Sequence, residues 1–128
     1  MNEVILNKIK GIIQNEIFKQ NPNISLLALL KIETINSWDF VLAGKELDAT
    51  ADNLKWVADI LRKELSPNEI ISLSRLVLLR AENSFVQSIN STIEVSKDSN
   101  YMRIENYQIG KLLINEGYVM YSMPLVNN

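Results

Sequence analysis

Apolar residues along the first twenty positions recur at helical spacing. Ile5, Ile9, Ile12, Ile13 and Ile17 lie three or four apart, while Lys8, Lys10, Asn15 and Lys19 take other faces. Asn2 suits a cap and acidic Glu3 suits the first turn, where the exposed amides favour acceptors and negative charge. Pro22 in Asn21-Pro22-Asn23 disfavours helical geometry at the residue before it and ends the helix. Ile24 to Ile35 is a long apolar run whose end alternates, with Leu30, Ile32 and Thr34 on one side and Lys31 and Glu33 on the other. That alternation is a strand period, although the Leu-rich front half is also compatible with helix. Asn36-Ser37 then offers a tight turn into Trp38–Ala43, so the pair reads as a β-hairpin.

Gly44 punctuates the second strand, and Lys45 to Ala49 is a polar loop. Thr50 caps a helix supported by Asp52, with Leu54, Val57, Ala58, Leu61 and Leu65 as its buried stripe and Lys55, Asp59 and Arg62 outward. Ser66-Pro67-Asn68-Glu69 places a Ser cap, a Pro at the first helical position and a Glu at the third, the signature of a capping box. Arg75–Arg80 is apolar on both faces between two charges, which predicts a strand covered on both sides at the middle of the sheet. A helix capped by Asn83 or Ser84 follows, buried through Phe85, Val86, Ile89 and Ile93, and then a turn at Lys97–Asn100.

Tyr101 to Ile109 alternates as a strand, with Tyr101, Arg103, Glu105 and Tyr107 on an amphipathic side and Met102 and Ile104 on a buried side. Lys111–Glu116 is compatible with a helical turn closed by Gly117 or with a strand turning at Asn115-Glu116-Gly117. Tyr118–Met123 is a last strand, stopped by Pro124. The expected fold is α/β, with α+β as the neighbouring class. It has a single mixed sheet of about five strands and three main helices in the order α-β-β-α-β-α-β-β. Right-handed crossovers in its middle make neighbouring strands parallel. With no linker, repeat or low-complexity stretch, all of residues 1–128 read as one globular domain.

Composition narrows the chemistry. The 47% hydrophobic content and a net charge of -2 are those of a chain that folds around a core, with no basic field for nucleic acid. A nucleic-acid partner is therefore not expected. The chain has no Cys and no His, which removes thiolate nucleophiles, imidazole bases and both commonest zinc ligands. Gly11, Gly44, Gly110 and Gly117 are too dispersed for a phosphate-cradling loop, and no calcium loop is present. Neither a membrane span nor a signal peptide is expected, because no apolar stretch is long enough and Lys8 and Lys10 interrupt the first one. These features point to a cytoplasmic protein without cofactor, metal or catalytic constellation. The sequons at Asn23-Ile24-Ser25 and Asn90-Ser91-Thr92 are what chance provides among fifteen asparagines.

Three candidate sites remain. Glu33, Asp39, Lys45, Glu46 and Asp48 have the composition of a weak carboxylate-based hydrolase, although polar residues are ordinary at strand ends. A topological argument points beyond the carboxyl ends of the parallel strands, where Lys45, Arg80 and Asn83 would bind a small molecule or anion near a helix N-terminus. There the ordinary alternative is Arg80 paired with Glu82 or Glu46 at the surface. Finally, Tyr101, Arg103 and Tyr107 would form an interface on an uncovered sheet edge. The leading expectation is a non-enzymatic interaction or regulatory module that self-associates or binds a protein partner. The rival is the ligand-binding domain.

Overall fold

The computed structural model describes residues 1–33 and 37–126. The Asn36-Ser37 turn falls partly, at Asn36, outside the described residues. One mixed sheet of five strands has helices on both faces, as expected, and fits the α+β class named as the neighbour of α/β. The first rod consists of α1 (Glu3–Lys8), a π turn over Ile9–Ile13 and α2 (Gln14–Gln20). Strands β1 (Ile24–Ile32) and β2 (Trp38–Gly44) form an antiparallel pair. Then come α3 (Ala51–Glu64), α4 (Pro67–Ile71), β3 (Leu73–Arg80) and α5 (Ser84–Thr92), followed by the hairpin β4 (Met102–Ile109) and β5 (Leu112–Ser122). Among the described residues, no helix is long and apolar enough to cross a membrane.

The strand order is β3-β2-β1-β5-β4, which corrects the expectation for Arg75–Arg80. That segment is a strand and does pair parallel with β2, but it lies at the sheet edge. The central strand is β1, whose residues Ile24 to Leu30 are all buried. Its Leu-rich front half is a strand because both faces are covered, which overrides its helical propensity. Leu27 and Leu29 face one core with α1, α2 and α3, while Leu26, Ala28 and Leu30 face a second core with α5.

Local signals placed the helices well. Asn2, Thr50 and Asn83 accept hydrogen bonds from Val4, Asn53 and Phe85, and the Ser66/Glu69 capping box is complete. Ile12 departs from the predicted stripe and is 48% exposed, because the π turn inserts an extra residue and rotates the face. Lys10 is drawn inward to the carbonyls of Ser96 and Met120, and burial lowers its pKa.

The last hairpin resolves the ambiguity at 110–117. Gly110 takes a left-handed φ of +56° in the two-residue loop Gly110-Lys111, with Ile109 opposite Leu112, so β5 runs on through Asn115–Gly117 with neither a helical turn nor a hairpin there. A second departure follows from Asn106, whose φ is +49° within β4. Opposite it, the β1–β5 register shifts between Lys31 and Ile32 and leaves Asn115 extra. This kink resets the pleat, so Ile104 and Tyr107, three apart, both reach the α5 core. Tyr107 therefore does not share a face with Tyr101, and Met102, expected to be buried, is 42% exposed.

Two substitutions test this packing. A Cβ at Gly44 would lie 2.6 Å from the Asn23 carbonyl oxygen, a backbone atom that cannot swing away, whereas one at Gly11 would meet nothing within 4 Å. Gly44→Ala is expected to cost about 1–3 kcal/mol in urea unfolding, and Gly11→Ala to be neutral or stabilising by up to about 1 kcal/mol.

The second test concerns pH. Lys8 donates to Glu69 across 2.7 Å and ties α1 to α4. That hydrogen bond, and then the Ser66 amide, hold the Glu69 carboxyl below its ordinary value of 4.5. A carboxyl depressed on folding stabilises fully above its unfolded value, and the contribution is lost as pH falls through the folded one. The urea midpoint should therefore decline below about pH 4.5, and more shallowly in Glu69→Gln. An identical acid limb in the two proteins would refute the tie.

Candidate functional site

The parallel pair β2–β3 ends at Gly44 and Arg80, side by side, with the Ala81 amide donating to the Gly44 carbonyl across 2.9 Å. Beyond Gly44 the loop turns sharply at Glu46, φ +56°, and Leu47, 2% exposed, plugs back into the core. This return holds Lys45 and Glu46 over the strand ends. The Lys45 amide is fixed by the Asn23 carbonyl at 2.9 Å, which brings the start of β1 to the same place. The result is a half-open groove of about 1060 Å³. Its walls are the β1 start at Asn23 and Ile24, the strand ends at Lys45 and Arg80, the α5 flank at Gln87 and Asn90, and Tyr121 with Pro124 to Val126.

Two of the three residues expected at the strand ends, Lys45 and Arg80, therefore line one concavity. Asn83 does not line it; its side chain is spent on the Phe85 amide at 2.9 Å, a capping role. Arg80 follows the ordinary alternative: it donates to Glu82 at 2.6 Å and to Asp48 at 3.3 Å. Glu82 first, and Asp48 after it, raise the guanidinium pKa, and Arg80 in turn lowers that of Glu82. Lys45 is exposed and has no ionic partner among the described residues.

The α5 wall is positioned by a small buried network. Ser122, fully buried, donates to the Ile93 carbonyl at 2.7 Å and accepts from Asn90 at 2.9 Å. The same Asn90 amide donates to the Ser25 carbonyl at 2.9 Å, joining α5 to β1 and β5. Gln87, Asn90 and Ser91 share one polar helix flank beside the Val86–Ile89–Ile93 stripe. Sequence reasoning passed over them. The available signal was polar residues three and four apart adjoining a buried stripe.

The other candidates disperse. Asp39 stands at the start of β2 and Lys45 just past its end, so the carboxylate–lysine set is divided between opposite ends of one strand. Asp39 is not solvated either. It is 3% exposed and accepts two hydrogen bonds from Arg75, both at 2.9 Å. That contact raises the Arg75 pKa. Among the described residues no cluster of three or more acids could hold a metal ion. Tyr101 is half-buried edge-on against Tyr118, and Tyr107 contacts Thr92 on α5. Arg103 pairs with Glu105 and Glu116, and its pKa is raised chiefly by Glu116. The three predicted interface residues thus form no single surface.

No family model, curated protein or solved structure matches the chain.

Two serines near the groove should respond oppositely. Ser122→Ala removes a satisfied buried hydroxyl and leaves partners unpaired, an expected loss of about 1–3 kcal/mol. The buried Ser25 hydroxyl has no hydrogen-bond partner among the described residues, so Ser25→Ala should leave stability unchanged or raise it. Urea unfolding of both variants checks the pair. Equal losses would contradict the network.

Proposed function

We propose that this chain is a non-enzymatic binding module that holds a small carboxylate-bearing molecule in the groove beyond the carboxyl ends of β2 and β3. One observation carries the reading: of the two cations on the groove, Arg80 is neutralised by Glu82 and Asp48, while Lys45 is left without an ionic partner among the described residues. A cation at a concave site with nearby amides is suited to a single negative charge. Asn23 and Gln87 supply amide groups, and Tyr121, Pro124 and Leu125 supply apolar surface for the rest of the ligand.

The charge balance argues for the ligand class. Glu46, Asp48 and Glu82 surround the same strand ends and repel a multiply charged phosphate ester more strongly than a monocarboxylate. The reading is non-enzymatic on sequence grounds, since neither His nor Cys is present to act near neutral pH.

The test is a screen of small monocarboxylates against the full chain by amide chemical-shift perturbation. Shifts are expected at Lys45, Gln87 and Asn90, weakening with salt. Lys45→Gln should reduce affinity about tenfold, the worth of one charge-assisted hydrogen bond at an open rim. If no carboxylate moves those amides at millimolar concentration, or phosphate esters bind more tightly, the proposal is wrong.

A further inference from the structure

Among the described residues the sheet ends in two free edges, β3 and β4, and they are built differently. On β4, Arg103, Glu105 and Gln108 are exposed, and the left-handed Asn106 kinks the strand. Charge and a kink are the usual means of keeping other strands off an edge. On β3 the run Leu76-Val77-Leu78-Leu79 is unbroken, apolar and straight, with Leu76, Val77 and Leu79 half-buried. Its flanking cations are neutralised within the chain, Arg75 by Asp39 and Arg80 by Glu82 and Asp48. A second copy approaching this edge therefore meets no unpaired charge on it. Alongside lies an apolar depression of about 190 Å³ that includes Leu61, Ile70, Leu73 and Leu76, and neighbouring Ile71 is 78% exposed.

The backbone limits how a strand can be added. Ala81 directs its amide to β2, so by the alternation of a parallel ladder Leu76, Leu78 and Arg80 direct their peptide groups away from the sheet. The Arg80 carbonyl is already taken by the Asn83 amide at 3.0 Å, and the register breaks next to Ser74. Leu76 and Leu78 remain. Antiparallel pairing of two β3 strands about Val77 sets Leu76 of each copy opposite Leu78 of the other, so that these groups satisfy one another. It also sets Val77 against Val77 and Arg75 against Leu79, so no like charges face each other.

We propose that β3 is a self-association edge, on which a second copy of this chain adds its own β3 antiparallel about Val77 and the two sheets become one. The sequence pattern that reads as a two-sided central strand is then accounted for, because in the pair β3 is no longer an edge.

The chain contains no cysteine, so a single introduced thiol reports the geometry directly. Val77 of the two copies would form a non-hydrogen-bonded pair with Cα atoms about 4.5 Å apart, within disulfide reach. Val77→Cys is expected to oxidise to a covalent dimer about a hundredfold faster than Met102→Cys on the β4 edge, as expected for thiols held together. The unmodified chain should sediment as a dimer at tens of micromolar. Val77→Lys should sediment as a monomer with an unchanged far-ultraviolet spectrum, and if it misfolds, the near-isosteric Val77→Cys decides alone. A monomeric unmodified chain, a folded Val77→Lys dimer, or Met102→Cys cross-linking as fast as Val77→Cys would each overturn the proposal.

Discussion

The structure depends on burying both faces of its central strand from Ile24 to Leu30. From Ile24 to Leu30, β1 is sealed on both faces, and from Leu26 onward it is paired on both sides, by β2 and by β5. Each fully buried Leu or Ile contributes on the order of 1.5–3 kcal/mol, so Ile24, Leu26, Leu27, Leu29 and Leu30 of this strand together are a large source of stability. Its two faces require two layers of helix. Those on one side are α1, α2 and α3, and that on the other is α5. The helices need the strand in turn, because most helical stability in proteins comes from packing an apolar face.

Around this strand, irregularities do the adjusting. The π turn in the first rod moves Ile12 out and lets Ile9, Ile13 and Ile17 pack in. At the far side of the sheet, Asn106 and Asn115 break the pleat together and turn Tyr107 and Ile114 into the α5 core. Without that reset Tyr107 would face the opposite side, and the short α5 would cover less apolar surface. The same kink protects the β4 edge. The β3 edge has an irregularity only near Ser74, and its run from Leu76 to Leu79 pairs without a break.

The groove arises from the same architecture. Parallel pairing of β2 and β3 leaves two strand ends adjacent, Leu47 anchors the loop that overhangs them, and the Asn90–Ser122 network sets the α5 wall. Ion pairs hold Arg80, Glu82 and Asp48 together there, so the groove presents Lys45 and amides rather than a broad field. Its place was legible from topology, because Lys45 and Arg80 follow strands that a crossover makes parallel. Asn90, Ser91 and Tyr121 were not, since they come from elements whose packing a linear pattern does not specify.

Local chemistry determined what local chemistry can. Asn2, Thr50, Ser66 and Asn83 cap their helices because a side-chain oxygen next to free amides acts over a few residues, whatever the rest of the chain does. Element order and the mixed five-stranded sheet followed from periodicity for the same reason. Strand position did not. Arg75–Arg80 reads as a two-sided central strand and the front of Ile24–Ile35 as compatible with strand or helix, yet the packed sheet makes the first an edge and the second the central strand. The pleat reset at Asn106, the burial of Asp39 against Arg75, and the groove are likewise properties of neighbours distant in sequence. Burial depends on what covers a residue, and that is decided when the layers assemble.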